Sequence, residues 1–287
     1  MPASARRAGT RRATLAVAAL TAFAQLATRP AAAAQTVLLE IRPRAGDTLR
    51  MRLDQTVEMT GTTRLGEADS TRHTSTTMHV LARAIVLKTD SRGSMILAVT
   101  DSVSLSSMGG PAPAELERMS HALEGKRVEM RVSPDGSARM ADDGAGGDLR
   151  AAVAQMPASL PATPVSVGDR WTRVMRLPVA GPEIPAGGEL HATFRFDSLS
   201  RDGDIAYLSM KGYLTRDSTE ADVAGGMRFL MSGTVVGALQ VDRRRGWLTD
   251  AQATMIVRSR LTPRASGAAP MRFQMKIIQR VRAMDKR

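Results

Sequence analysis

Four histidines, at positions 73, 79, 121 and 191, are the whole imidazole supply of this 287-residue chain, and cysteine is absent. None of the four lies in an HExxH pair, beside a second ligand at metal-binding spacing, or near a GxSxG elbow. Residue type and spacing therefore point to no metal site, no cofactor and no catalytic residue. His79 and His191 share similar surroundings, near Arg83 and Arg195, and read as polar strand residues facing solvent.

What remains is electrostatics set against apolar pattern. Asp101 falls in the same two-residue phase as Met95, Leu97, Val99, Val103 and Leu105, and Lys211 in that of Ile205, Tyr207 and Tyr213. An ionised group on an apolar face is costly unless paired or wet. Asp101, Lys211, Tyr207 and Tyr213 are thus the candidate ligand-binding residues of an inner face, unless a β-bulge shifts the strand phase and turns the charges outward. A second candidate surface is basic: Arg258, Arg260, Arg272, Lys276, Arg280 and Arg282 alternate with apolar residues near the C-terminal end. It suits anionic lipid headgroups or another envelope polyanion, and also an ordinary solvated face. Nucleic acid is a poor partner for it, because aromatics are only 3% of residues and none interleaves with these arginines.

The elements that position these groups follow from period. Arg6, Arg7, Arg11 and Arg12, an apolar run over 13–26 and four alanines before Gln35 read as a secretory signal peptide cleaved after Ala34. The run is too short to span a bilayer as a mature helix. Its loss removes five arginines and no acids, so the formal charge falls from +12 to +7. Without cysteine there is no lipobox, disulfide framework or thiolate site, and a soluble periplasmic or extracellular protein is expected. Its residues 35–287 are expected to form a single domain.

Period-two alternation predicts strands over 48–60, 78–88, 95–105, 128–132, 191–200, 205–215, 227–241, 247–261 and 271–284. A Thr-rich span separates the first two. Short helices are predicted over 113–123, with Gly125 as its stop, and over 148–155, stopped by Pro157. The strand over 227–241 is long enough that it must coil, with Gly233 and Gly237 as bend points. Long antiparallel strands with one apolar face predict a mainly β half-barrel or barrel-like sheet around something apolar.

The order of pieces recurs: a Gly46-Asp47 turn, a hairpin and a strand-turn, then Gly168-Asp169, a hairpin and a strand-turn, suggesting repeats over 45–143 and 165–284 joined by a connector over 144–164. Gly46, Asp47, Gly168 and Asp169 are expected to be structural, glycine permitting the turn and aspartate accepting backbone amides. Trp171 and Trp247, each at a strand start, are expected to be core anchors, with Trp171 the costlier to lose because it follows the Pro-stiffened connector.

The Pro164, Val167-Gly168-Asp169, Trp171 box, together with Gly46-Asp47, the Val132–Gly136 strand-turn and Gly246-Trp247-Leu248, resembles an uncharacterised family of secreted bacterial β-proteins, a domain of unknown function. The layout is also similar to periplasmic lipoprotein-carrier half-barrels. These resemblances imply a β fold and an envelope location, and no catalytic residues. The function expected is non-enzymatic binding or carriage of an apolar, lipid-like ligand; a structural or protein-interaction module of the envelope is the alternative, and an enzyme of unknown class the third reading.

Overall fold

The computed structural model describes residues 36–65, 68–140, 160–176, 188–215, 222–223, 227–263 and 269–284. The expected signal peptide, the expected helix over 148–155 and most of the connector lie outside the described residues. The strands are β1 (Thr48–Leu65), β2 (Ala68–Asp90), β3 (Gly93–Met108), β4 (Arg127–Val132), β5 (Ala138–Met140), β6 (Arg170–Arg176), β7 (Glu189–Leu199), β8 (Ile205–Thr215), β9 (Asp222–Val223), β10 (Met227–Asp242), β11 (Trp247–Pro263) and β12 (Met271–Met284). One helix, α1 (Pro113–Leu123), stands between β3 and β4.

All pairings are antiparallel, in the order β5-β4-β3-β2-β1-β12-β11-β10-β8-β7-β6, with the two-residue β9 beside β10. Two meanders, β1 to β5 and β6 to β11, are thus joined edge to edge by β12. The sheet does not close into a barrel, since β5 and β6 remain its edges. Extended segments of chain stand at the turn end of the sheet instead. Val37 pairs with Val165, Ile41 N–H donates to the Pro134 carbonyl, Arg42 N–H to Gly246 and Leu160 N–H to Asp135. Val37, Leu39, Ile41, Leu160 and Val165 are all buried there against Ile96, Val128 and Met130 of the first meander and Phe194, Phe196 and Leu208 of the second. These segments form a floor on which core residues of both meanders pack.

The Thr-rich span expected to separate two strands is itself strand. β1 and β2 run on as one hairpin to Leu65 and Ala68, with Thr56 facing Thr77 and Thr62 facing Thr71 at 3.5 and 3.3 Å between hydroxyls. Threonine is β-branched, and its stiff χ1 favours extended backbone whether or not the face is buried.

The two Gly-Asp turns make the same set of bonds. Gly46 and Gly168 have φ of +88° and +98°, which only glycine adopts without strain. Asp47 and Asp169 each accept from the backbone three residues back, at Arg44 and Ser166. Gly46 N–H donates to Val86, which donates back to Asp47; Gly168 N–H donates to Phe196, which donates back to Asp169. Each docked residue is followed at once by a bulge, between Val86 and Lys88 and between Phe196 and Ser198. Val86 therefore corresponds to Phe196, and Ile85 to Arg195.

The helix begins at Pro113 with Glu115 in its first turn, as its sequence requires, and Gly125 follows it with φ of +70°. It protects an edge. β4 pairs only with Ser94–Val99 of β3, and beyond that Lys126 and Gly125 bond Thr100 while the Glu124 carboxylate accepts from Val103 N–H at 3.2 Å.

Candidate functional site

Register fixes which side chains share the apolar face, the concave side of the half-barrel expected from the sequence, and which share the opposite, convex side. Across the centre of the sheet the apolar face carries Met51, Leu53, Val57 and Met59 of β1, Val281, Ile277, Met275 and Phe273 of β12, and Ala253, Met255 and Val257 of β11, with Leu53 opposite Val281, Val57 and Met255 opposite Ile277, and Met59 and Val257 opposite Met275. Near the floor this face is packed: Val235, Leu239 and Val241 of β10 and Leu208 and Met210 of β8 are almost wholly buried. Away from the floor it is packed more loosely, although Val257 and Phe229 stay buried. Leu53, Val57, Met255, Phe273, Met275 and Ile277 are half-buried and Met59 is 43% exposed. The central strands β1, β12 and β11 make no substantial contact with any element except their sheet neighbours. The result is a one-sided apolar wall, rich in methionine, that continues past the point where the core ends.

Asp101 is not on that wall. The β2–β3 ladder shifts register between Leu81 and Ala82, which face Ser102 and Thr100, and Asp101 is the residue left over in the bulge. Its carboxylate accepts from Arg83 Nε at 2.8 and 3.0 Å in an exposed pair. Lys211, Tyr207 and Tyr213 are also on the convex face. The concave face of β8 belongs to Ala206, Leu208, Met210 and Leu214, all buried, while Lys211 is exposed opposite Val236 and Thr193. Tyr213 is 55% exposed and stacks flat on His191, ring centres 5.0 Å apart. The four candidate inner-face residues are therefore corrected to outer positions, and β3 and β8 are separated by five strands in the sheet order.

The six basic residues do share one face, the convex side of β11 and β12, and the structure divides them. Arg280 is bound to Asp250 through Nε at 3.2 Å and Nη2 at 2.5 Å, Arg282 reaches Asp54 at 3.3 Å and Lys276 reaches Glu58 at 3.4 Å. Asp54 is the hub of this half: Arg52 donates at 2.8 Å and His79 Nδ1 lies at 2.6 Å. Partial burial pushes the Asp54 carboxyl up, but the hydrogen bonds from Arg52, His79 and Arg282 outweigh it and hold the group below its ordinary value of 3.8. Farther from the turn end, Arg258, Arg260 and Arg272 have no acidic partner among the described residues; Arg258 Nε donates to Gln274 at 3.4 Å.

Of the two tryptophans, Trp247 is the deeper. It is 8% exposed within the core, and its indole Nε1 is buried without a partner among the described residues. Trp171 is half-buried and stacks on Phe194 with ring centres 5.8 Å apart. No group of three or more potential metal ligands occurs among the described residues.

Sequence reasoning missed the floor. Val37, Leu39 and Ile41 alternate in period two directly after the expected cleavage site, a signal that was available.

No curated protein matches the chain in sequence. Among solved structures it is similar to lipovitellin, from a study titled for its lipid-protein interactions, at 12% identity and a TM-score of 0.48, over 84% of this chain and 25% of that one. The chain thus spans about a quarter of the length of the lipovitellin chain it matches. It is also similar to the outer membrane protein OprG of Pseudomonas aeruginosa, at 10% identity and a TM-score of 0.20, over 85% of this chain and 99% of that one. A third likeness is to OccK2 of Pseudomonas aeruginosa in complex with glucuronate, at 8% identity and a TM-score of 0.23, over the same shares. Likenesses at this level say nothing of what this chain binds. Over residues 146–248 the chain matches the model of a family of unknown function, DUF6263, and the box from Pro164 to Trp171 that resembled an uncharacterised family lies inside that match.

Proposed function

We propose that this protein is an exported, non-enzymatic binder or carrier of an apolar, lipid-like ligand, held against the concave face of β1, β12 and β11. One observation carries the reading: the apolar wall continues beyond the packed core, with Val57, Phe273, Met275 and Ile277 half-buried and no described element covering them. Contiguous apolar surface of this kind marks an interaction site more often than it marks idle surface. Methionine suits the task, because its unbranched, polarisable side chain repacks around ligands of different shape. Export and an envelope location belong to the same proposal, and the signal-like N-terminus of the sequence supports them.

The test is solvent extraction of the purified mature protein followed by mass spectrometry. Retained lipid at near one molecule per chain is the expected result. Protein that is empty and also fails to bind a fluorescent fatty-acid probe overturns the reading.

A second reading rests on a different feature. β6 is a seven-residue edge strand, paired with β7 on one side and with no strand on the other among the described residues. Such an edge can accept an added strand from a partner protein. Crosslinking from Thr172 that captures one envelope protein, with no lipid recovered, would favour an interaction module.

A further inference from the structure

Arg260 of β11 and Arg272 of β12 are directly opposite in the ladder, and Arg258 follows two residues away opposite Gln274. Directly opposed like charges destabilise a strand pair. The other three basic residues of this set are each offset by a carboxylate within reach: Glu58 for Lys276, Asp250 for Arg280 and Asp54 for Arg282. The pattern of acids stops where the arginines become adjacent. These three line a cleft of about 650 Å³ at the far end of the convex face, together with Thr60, Ser232 and Gln274, and no acidic residue lines it among the described residues.

We propose that this cleft is an anion site that takes a phosphate ester. Three guanidinium groups on neighbouring rungs present paired N–H forks, the geometry that binds phosphate oxygens bidentately, where lysines would offer point charges only. Thr60 and Ser232 supply hydroxyl donors at the margin. A bound phosphate relieves the opposition of Arg260 and Arg272, so the local conflict in the ladder becomes a binding device. Leu230, 38% exposed, also lines the cleft and gives it an apolar margin beside the arginines. Its three arginines are in the opposite strand phase to the apolar wall, and the site does not rest on that wall being filled.

The phosphate can belong to a phospholipid headgroup or to a soluble ester, and two measurements separate them. Flotation with vesicles of phosphatidylglycerol, against vesicles of phosphatidylcholine, reads the headgroup; the thermal midpoint in inorganic phosphate, against chloride at equal ionic strength, reads the free anion. Binding to the anionic vesicles that falls at least about tenfold in Arg260→Gln/Arg272→Gln, while Arg280→Gln keeps it, assigns the site to headgroups. A phosphate-dependent rise in midpoint that the same double variant abolishes, without vesicle binding, assigns it to soluble esters. The double variant should also raise the midpoint in chloride, since it removes the opposed charges. Equal loss in Arg280→Gln and the double variant would reduce the effect to diffuse charge and overturn the site, as would no response to either probe. Lipid recovered by solvent extraction is unaffected in the double variant, so failure here and failure of the apolar-ligand reading are separate results.

Discussion

Val37 and Val165 exchange two backbone hydrogen bonds, 2.8 and 2.9 Å long, and through them the first described segment of the chain is tied to the connector between the two meanders. The bond pair sits in the floor, where Leu39 is 1% and Ile41 3% exposed. The floor gathers core residues from both meanders, whose strands pair with one another only by way of β12 among the described residues. Leu39→Ala should therefore lower stability by about 2–5 kcal/mol, the range for burying and then deleting a leucine side chain. Chemical denaturation checks it. A loss below about 1 kcal/mol would show that the floor can collapse around the gap or contributes little to the fold.

Trp247 and not Trp171 is expected to be the more costly tryptophan to truncate. The sequence favoured Trp171 because of the stiff connector before it, but the structure leaves that ring half-buried against Phe194 and places Trp247 in the core. Trp247→Ala should cost about 3–5 kcal/mol and Trp171→Ala less. Trp247→Phe should be much milder than Trp247→Ala, because it keeps most of the ring contact and removes a buried N–H donor that has no partner among the described residues. Midpoints of denaturation for the three variants decide the order.

How much was legible depended on whether a strand offered one apolar phase or two. β12 alternates Met271, Phe273, Met275, Ile277 against arginine and glutamine, and its faces were read correctly from period alone. β8 offers Ala206, Leu208, Met210 and Leu214 in one phase and Ile205, Tyr207 and Tyr213 in the other, and only packing against β7 and β10 chooses between them. The aromatic phase was taken as inner, and the tyrosines proved to face solvent. In β3 the phase itself breaks at Asp101, and nothing local in Thr100-Asp101-Ser102 announces a bulge. The basic face was visible, but its division was not: the acids that neutralise half of it come from β1 and from the start of β11, and cross-strand register is not written in any one strand.

Acid should weaken the fold partly through Asp54. Its folded value is depressed, so the unfolded state binds more protons and stability rises with pH across the window between the two values. The contribution is complete above the ordinary value of 3.8 and is lost as pH falls below that through the lowered one. Asp54→Asn should therefore be less stable than wild type at neutral pH and should show a flatter decline as pH falls below the ordinary carboxylate value of 3.8. Parallel acid limbs for the two proteins would remove Asp54 from the account.

The apolar wall gives a direct test of ligand binding. Ile277 stands opposite Val57 on β1 and Met255 on β11, half-buried in the middle of the wall. Ile277→Glu puts a carboxylate where it still reaches water, so the fold should tolerate it, while the apolar surface is interrupted. Lipid recovered by extraction should fall about tenfold, which corresponds to roughly 1.4 kcal/mol of affinity. Wild-type recovery from a folded Ile277→Glu protein would place the ligand elsewhere.

Asp101→Leu is the converse experiment. An inner-face Asp101 would have made this substitution weaken ligand retention while leaving or tightening the fold. The structure instead puts the carboxylate in an exposed bidentate pair with Arg83, whose side chains are 35% and 44% exposed. Exposed ion pairs contribute about 0–1 kcal/mol, because solvent screens the attraction and ordering two side chains offsets it. Asp101→Leu should thus cost no more than about 1 kcal/mol and leave lipid recovery at the wild-type level. The bulge should persist as well, since its register is set by the backbone pairing of Leu81 and Ala82 with Ser102 and Thr100 and not by the side chain. Loss of ligand in Asp101→Leu with an intact fold would mean that the convex face takes part in binding, and the division between an apolar concave side and an ionic convex side would have to be redrawn.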